Sequence, residues 1–258
     1  MEPVRRERAL GDTGDAAGKA SGERGAWRER PGSVGSSLHA PRSPLPSARR
    51  VARSRTRIIK PAVFLLALLP FAYIVHAAAT DPDALGANPI NEVEHFTGQW
   101  ALRFLLLTLA VSPVRKLTGW GEPAKYRRML GLFAFFYATV HLSTWVGVDM
   151  ELDASDMWHD VVKHKYITIG MAAWLMLLPL AVTSTKGWIR RLGGQRWRRL
   201  HTLTYVAATF GVVHYFWAVK KDISQPLLFA AILGALLGYR AWTARRKGER
   251  VRDARQRQ

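Results

Sequence analysis

Cysteine is absent from the 258-residue chain. Disulfides, cysteine zinc sites and iron–sulfur clusters are therefore excluded, and any metal or cofactor chemistry must rest on His, Met, carboxylates or Tyr. A Gly-rich dinucleotide loop is lacking too. The segment "RRLGGQRW" holds two glycines without the strand and helix such a loop requires. An electron donor would then have to be lipid-soluble or another protein. Carboxylates are scarce, with 19 Asp and Glu against 38 Lys and Arg, a formal net charge of +19. Taken alone, that excess suggests nucleic acid or an anionic surface as partner. Its placement argues otherwise.

Mean hydropathy is near zero, an average that hides a sharp split. Residues 1–57 are rich in Arg, Gly, Ser, Ala and Pro and cannot bury a core, so disorder is expected there. Residues 58–243 carry six long apolar runs, at 61–79, 96–112, 129–148, 166–184, 200–219 and 226–242. Residues 244–258 form a basic tail. Each run approaches the ~20 residues that cross a bilayer as a helix. The runs are continuous rather than alternating, which disfavours a barrel. The first ends in "HAAAT", which resembles a signal-peptide cleavage site, but its apolar stretch exceeds a typical signal core. The expected architecture is an all-α membrane protein, a bundle of six transmembrane helices.

Basic residues set the expected orientation. All Lys and Arg except Arg103, Lys163, Lys165, Lys220 and Lys221 lie in residues 1–60, in the alternate connections 113–128 and 185–199, and from Arg240 onward. Both termini are thereby expected in the cytoplasm. The opposite connections are acidic, with Asp81, Asp83, Glu92 and Glu94, then Asp149, Glu151, Asp153, Asp156 and Asp160. The positive charge is a topology signal, and no nucleic-acid partner is expected. Most Trp residues fall near run ends, as an interfacial belt.

Ionisable residues at membrane depth are costly and mark function. His141 lies roughly 18 Å into the third run and His214 roughly 21 Å into the fifth, at 1.5 Å per residue. Both runs start on the same side. Two imidazoles at matched depth are the arrangement that grips a haem iron from both axial sides. His201 lies roughly 20 Å below His214 and suits a second haem, but on a straight helix it would face roughly 140° away. A kink or π-bulge near Gly211 would repair that angle. His76, His95, His159 and His164 read as solvated or interfacial. Arg103 is a lone cation inside the second run. It suits a haem propionate or flavin phosphate, with snorkelling or a pair with Glu94 as the alternative.

The segments "EHFTGQWALRFLLLTL", "YRRMLGLFAFFYATVHL" and "TSTKGWIRRLGGQRWRRLHTLTYVAATFGVVHYFWAVK" and the closing "QPLLFA" resemble the MsrQ (YedZ) family. That family is the haem-binding membrane subunit of the bacterial MsrPQ protein-methionine-sulfoxide reductase system, and is similar to the ferric reductase-like transmembrane superfamily. The likeness spans residues 60–243, and "WRRLH" followed by "HYFW" is its specific part. It implies haem b, one or two, ligated by His141, His214 and His201, and an associated FMN. It also implies electrons taken from membrane quinol and delivered to a periplasmic molybdopterin partner, MsrP, from the bacterial inner membrane. Short external connections leave no room for a substrate-converting site, so that chemistry is expected on a partner. Two other functions stay open at this point. One is a stand-alone transmembrane ferric or metal reductase, and the other a haem-free proton-coupled transporter with histidines as relays.

Overall fold

The computed structural model describes residues 46–81, 85–219 and 222–257. Among them, regular structure is helical throughout, with no strand. The α-helices of the described residues are α1 (Pro46–Thr80), α2 (Pro89–Thr118), α3 (Arg127–Thr144), α4 (Ala154–Lys163), α5 (Lys165–Val182), α6 (Lys186–Leu192), α7 (Gly194–Leu200), α8 (Leu203–Ala218) and α9 (Ser224–Gln256). The six apolar runs fall on α1, α2, α3, α5, α8 and α9. Among the described residues, four helical segments are long and apolar enough to cross a membrane: Ile59–Thr80, Arg127–Asp149, Lys165–Val182 and Ser224–Gln256. α2 has 30 residues but carries Gln99 and Arg103 within its apolar stretch. α8 has 16 residues, because a turn at His201 and Thr202 separates it from the run's beginning.

The expected disorder of residues 1–45 lies outside the described residues. Residues 46–57 are helical and continue into α1. Their composition explains this, since Ala and Arg favour helix and Pro46 opens it at a position that needs no N–H. The basic tail likewise extends α9 to Gln256. α4 arises in a stretch read from sequence as a connection. Asp153 caps it by accepting from the backbone N–H groups of Ser155 and Asp156. Gly193, at φ 73°, breaks the basic connection into α6 and α7. That backbone conformation is open to glycine and costly for side chains bearing a Cβ.

Two helical hairpins make the centre: α2 packs on α3, and α5 on α8. Trp174 of α5 donates its indole N–H to Thr139 of α3 at 3.1 Å, joining the hairpins. On the other side, Gln99 of α2 donates to the Tyr215 hydroxyl of α8 at 2.9 Å. α1 and α9 pack outside α2, where Arg240 donates to the Leu109 carbonyl at 2.8 Å. Leu109, Ala134, Tyr137 and Ala208 are fully buried. Leu65, Leu66, Leu69 and Tyr73 of α1 face outward. A helix apolar on both its inner and outer faces is suited to lipid on the outside.

Candidate functional site

Between the two hairpins lies a cavity of about 250 Å³. Its walls are apolar where Leu102, Leu105, Ala173, Leu177 and Ala207 meet. His141 enters it from α3 and His214 from α8. Their ring centres stand 6.0 Å apart with planes at 71°. Two imidazoles bound to one metal ion at about 2 Å per nitrogen have ring centres about 6 Å apart, because each centre lies about 1 Å behind its nitrogen. The observed gap has that size.

Each imidazole is oriented by a backbone carbonyl of the opposing helix. His141 Nδ1 lies 2.9 Å from the Glu94 carbonyl of α2. His214 Nδ1 lies 2.7 Å from the Tyr166 carbonyl of α5. A carbonyl can only accept, so Nδ1 carries the proton in both rings and Nε2 is left with a free lone pair. That tautomer is the one required of a metal-ligating histidine, and the carbonyl both fixes the ring and raises its basicity. Among the described residues, no three His, Asp or Glu side chains gather as a metal-binding group. A bare zinc-type ion wants three or four protein ligands. Two opposed imidazoles fit an ion whose other ligands come from a planar macrocycle, which is the donor set of a bis-histidine haem.

Past His141 the α3 backbone loosens into a π-helical turn over Trp145–Asp149. Such turns favour functional sites, and Trp145 and Asp149 both line the cavity. Of the kink or π-bulge near Gly211 that would repair the His201 angle, no π-bulge is present: α8 runs through Gly211 as α-helix. The straight-helix angle for His201 does not apply either. His201 is the C-cap of α7, before α8 begins. Its Nδ1 lies 3.1 Å from the Trp197 carbonyl and its ring stacks on the Trp197 indole at 3.9 Å. Trp197 is anchored in turn by donating to the Thr183 carbonyl at 2.9 Å. His201 is not among the residues lining the cavity.

Arg103 also stands off the cavity wall. Its guanidinium donates to Gln99 Oε1 at 2.8 Å and lies over the rings of Trp100 and Phe229. Gln99 itself lines the cavity and donates on to Tyr215, so Arg103 meets the cavity through the Gln99 side chain. The alternative pairing with Glu94 is not formed. Glu94 lies two residues before the apolar run and lines the cavity at its acid-rich end, with Asp149, Asp160 and His95. Burial, with the Asp149 charge nearby, pushes the Glu94 carboxyl up to about 7. His95, read from sequence as interfacial, is thus a wall residue. Its one signal was its place beside Glu94 at the head of the run.

Residues 97–212, from the third turn of α2 into α8, match the family described as ferric reductase like transmembrane component. The bundle is therefore a membrane protein of the ferric reductase-like class. A haem-binding subunit MsrQ of protein-methionine-sulfoxide reductase from Xanthomonas euvesicatoria is 50% identical over 185 residues, spanning 66% of this chain and 84% of the relative. The subunit of the same name from Rhodospirillum rubrum is 50% identical over 197 residues, 76% of this chain and 94% of the relative. That from Xanthomonas campestris is 52% identical over 160 residues, 62% and 73% respectively. The chain belongs to this MsrQ family of haem-binding subunits.

Proposed function

We propose that this chain binds haem b between His141 and His214 and passes electrons through the membrane from quinol to a periplasmic molybdopterin-dependent methionine-sulfoxide reductase, MsrP. The observation that carries the ligand assignment is the 6.0 Å gap between the rings, each with Nδ1 committed to a carbonyl. Haem bound there supplies reversible one-electron chemistry. The chain's own part is to hold the two nitrogens in register and to keep water out. Leu102, Leu105 and Leu177 present an apolar wall, which keeps the local dielectric low and so tunes the potential.

In this reading all six long helices cross the bacterial inner membrane, and both termini lie in the cytoplasm with the basic residues. α4 and the carboxylates of Glu94, Asp149 and Asp160 then face the periplasm. Those three carboxylates line the cavity, so the electron exit on that side is short, and substrate chemistry falls to the partner. FMN belongs to the reading through the family. Arg103 is the cation its phosphate would meet, on the α9 side of the bundle beside Phe229. His201 is the candidate ligand of a second haem on the basic side, held in place by Trp197.

The test is the reduced-minus-oxidised spectrum of the detergent-purified full chain, with haem quantified. Sharp b-type bands that appear on adding quinol, and fade when the reductase partner and methionine sulfoxide follow, are expected. A colourless protein after expression with ample haem overturns the reading. His201→Ala separates the two candidate haems: the cavity haem is expected to survive with its low-spin spectrum. Loss of all haem in that variant would show that the ligand pairs are wrongly drawn.

A further inference from the structure

The two ligand histidines are held in the same way, and each arrangement includes a glycine. The carbonyl that orients His141 belongs to Glu94, and four residues on, one turn along α2, stands Gly98. The carbonyl that orients His214 belongs to Tyr166, and four residues on along α5 stands Gly170. In an α-helix the N–H of residue i+4 occupies one lone pair of carbonyl i. The second lone pair is open only to a group approaching along the helix flank. A side chain at i+4 overhangs that approach.

The distances show how closely the rings use it. A Cβ added at Gly170 would stand 2.7 Å from His214 Nδ1, 2.9 Å from Cε1 and 3.2 Å from Cγ. At Gly98 it would stand 3.3 Å from His141 Nδ1 and 3.4 Å from Cε1. Carbon atoms in comfortable contact lie about 3.5–4.0 Å apart. The imidazoles therefore lie against bare backbone. We propose that Gly98 and Gly170 are positioning residues for the haem ligands: they open the helix flank so that each imidazole reaches the carbonyl one turn back, and so set the gap between the rings and the strength of each ligand. The proposal rests on the haem reading above.

The two sites differ in degree. At Gly98 a methyl group requires the ring to give by a few tenths of an ångström, so His141 stays a ligand with a longer, weaker bond to the Glu94 carbonyl. At Gly170 the ring must retreat by about 0.8 Å to reach ordinary contact. That motion leads away from α5 and strains the 2.7 Å bond to Tyr166. Disturbing the partner that orients a metal ligand typically costs 10–100-fold in affinity. A weaker carbonyl bond also makes the imidazole less basic, which favours the ferrous state and raises the midpoint potential.

The experiment compares the wild-type full chain with Gly98→Ala, Gly170→Ala and Gly234→Ala in detergent. A Cβ at Gly234 meets nothing within 4 Å, so it controls for the added methyl group. Haem retained per chain under competition with apomyoglobin, the ferric low-spin EPR signature and the midpoint potential are measured. Thermal unfolding of each apoprotein is measured beside them. Gly170→Ala is expected to hold haem at least ~10-fold more weakly. Gly98→Ala is expected to keep haem, with an altered EPR signature and a raised midpoint. Gly234→Ala should match the wild type. A merely structural glycine would move the unfolding of the apoprotein and leave the spectra of the haem it still binds unchanged. Should Gly170→Ala fail to fold, the Gly98→Ala spectrum decides. Wild-type potential and EPR signature in both glycine variants, with haem bound, overturn the positioning role. Absence of haem from the wild type overturns the ligand assignment and the positioning role together.

Discussion

His214→Ala is expected to lose the cavity haem almost completely, and His141→Ala to do the same. Each imidazole would supply one of the two protein bonds that hold the iron, and one ring alone is a far weaker site. Loss of a merely orienting partner costs 10–100-fold in metal affinity, so loss of the ligand itself should exceed about 100-fold. The apoprotein should still fold. His141 and His214 are held by single hydrogen bonds to carbonyls, and those carbonyls keep their helical partners when the rings are removed. Truncation leaves a space the size of imidazole opposite the remaining ring. Added imidazole is therefore expected to restore part of the haem and its low-spin bands. The measurement is haem content and spectrum of both variants, with and without imidazole. Normal haem and unshifted bands in both would end the ligand assignment.

The pairing of His141 and His214 was legible because depth along a helix follows from counting residues. Their runs begin at the same side, and the apolar stretch fixes where each begins. What holds the rings was not legible. The acceptors are the carbonyls of Glu94 and Tyr166, and every residue carries a carbonyl, so nothing in residue identity singles these two out. Gly98 and Gly170 were equally hidden, since a glycine in an apolar run carries no pattern of its own. The His201 geometry failed for another reason. The run from residue 200 is continuous in hydropathy, yet the chain turns at Thr202 before α8 starts. Hydropathy records lipid preference and is blind to where a helix begins. α4 leaves no hydropathy signal because its ten residues mix acids with Trp158 and Val162, too short and too polar to resemble a membrane span. Arg103 stands out in the sequence as a cation within an apolar run, while its partners, Gln99 one turn away and the Trp100 and Phe229 rings, depend on packing.

Tyr137→Phe is expected to destabilise the bundle by about 2–4 kcal/mol without touching the haem ligands. Pro70 lies inside α1, and a proline in a helix lacks its own N–H and crowds the carbonyl a turn back. The Tyr137 hydroxyl of α3 reaches this point. It accepts from the Phe71 N–H at 3.0 Å and donates to the Ala67 carbonyl at 2.8 Å. Those are the two groups that an undisturbed helix pairs with each other. Tyr137 is fully buried and Ala67 is buried, so water does not readily take the hydroxyl's place. Each buried polar group left without a partner costs about 1–3 kcal/mol. Phenylalanine keeps the ring and its stacking on Phe104 at 5.4 Å, so the substitution isolates the hydroxyl. Pro70→Ala supplies the matching half of a double-mutant cycle. With alanine at 70 the helix can straighten, Phe71 can donate directly to Ala67, and the hydroxyl matters less. The expected coupling between the two substitutions is about 1–2 kcal/mol, with the double variant more stable than Tyr137→Phe alone. Unfolding of the four proteins in mixed micelles, followed by Trp fluorescence, measures it. A Tyr137→Phe cost below about 0.5 kcal/mol, or additive costs in the cycle, would mean that α1 closes its own hydrogen bond at Pro70 and that α3 holds it by packing alone.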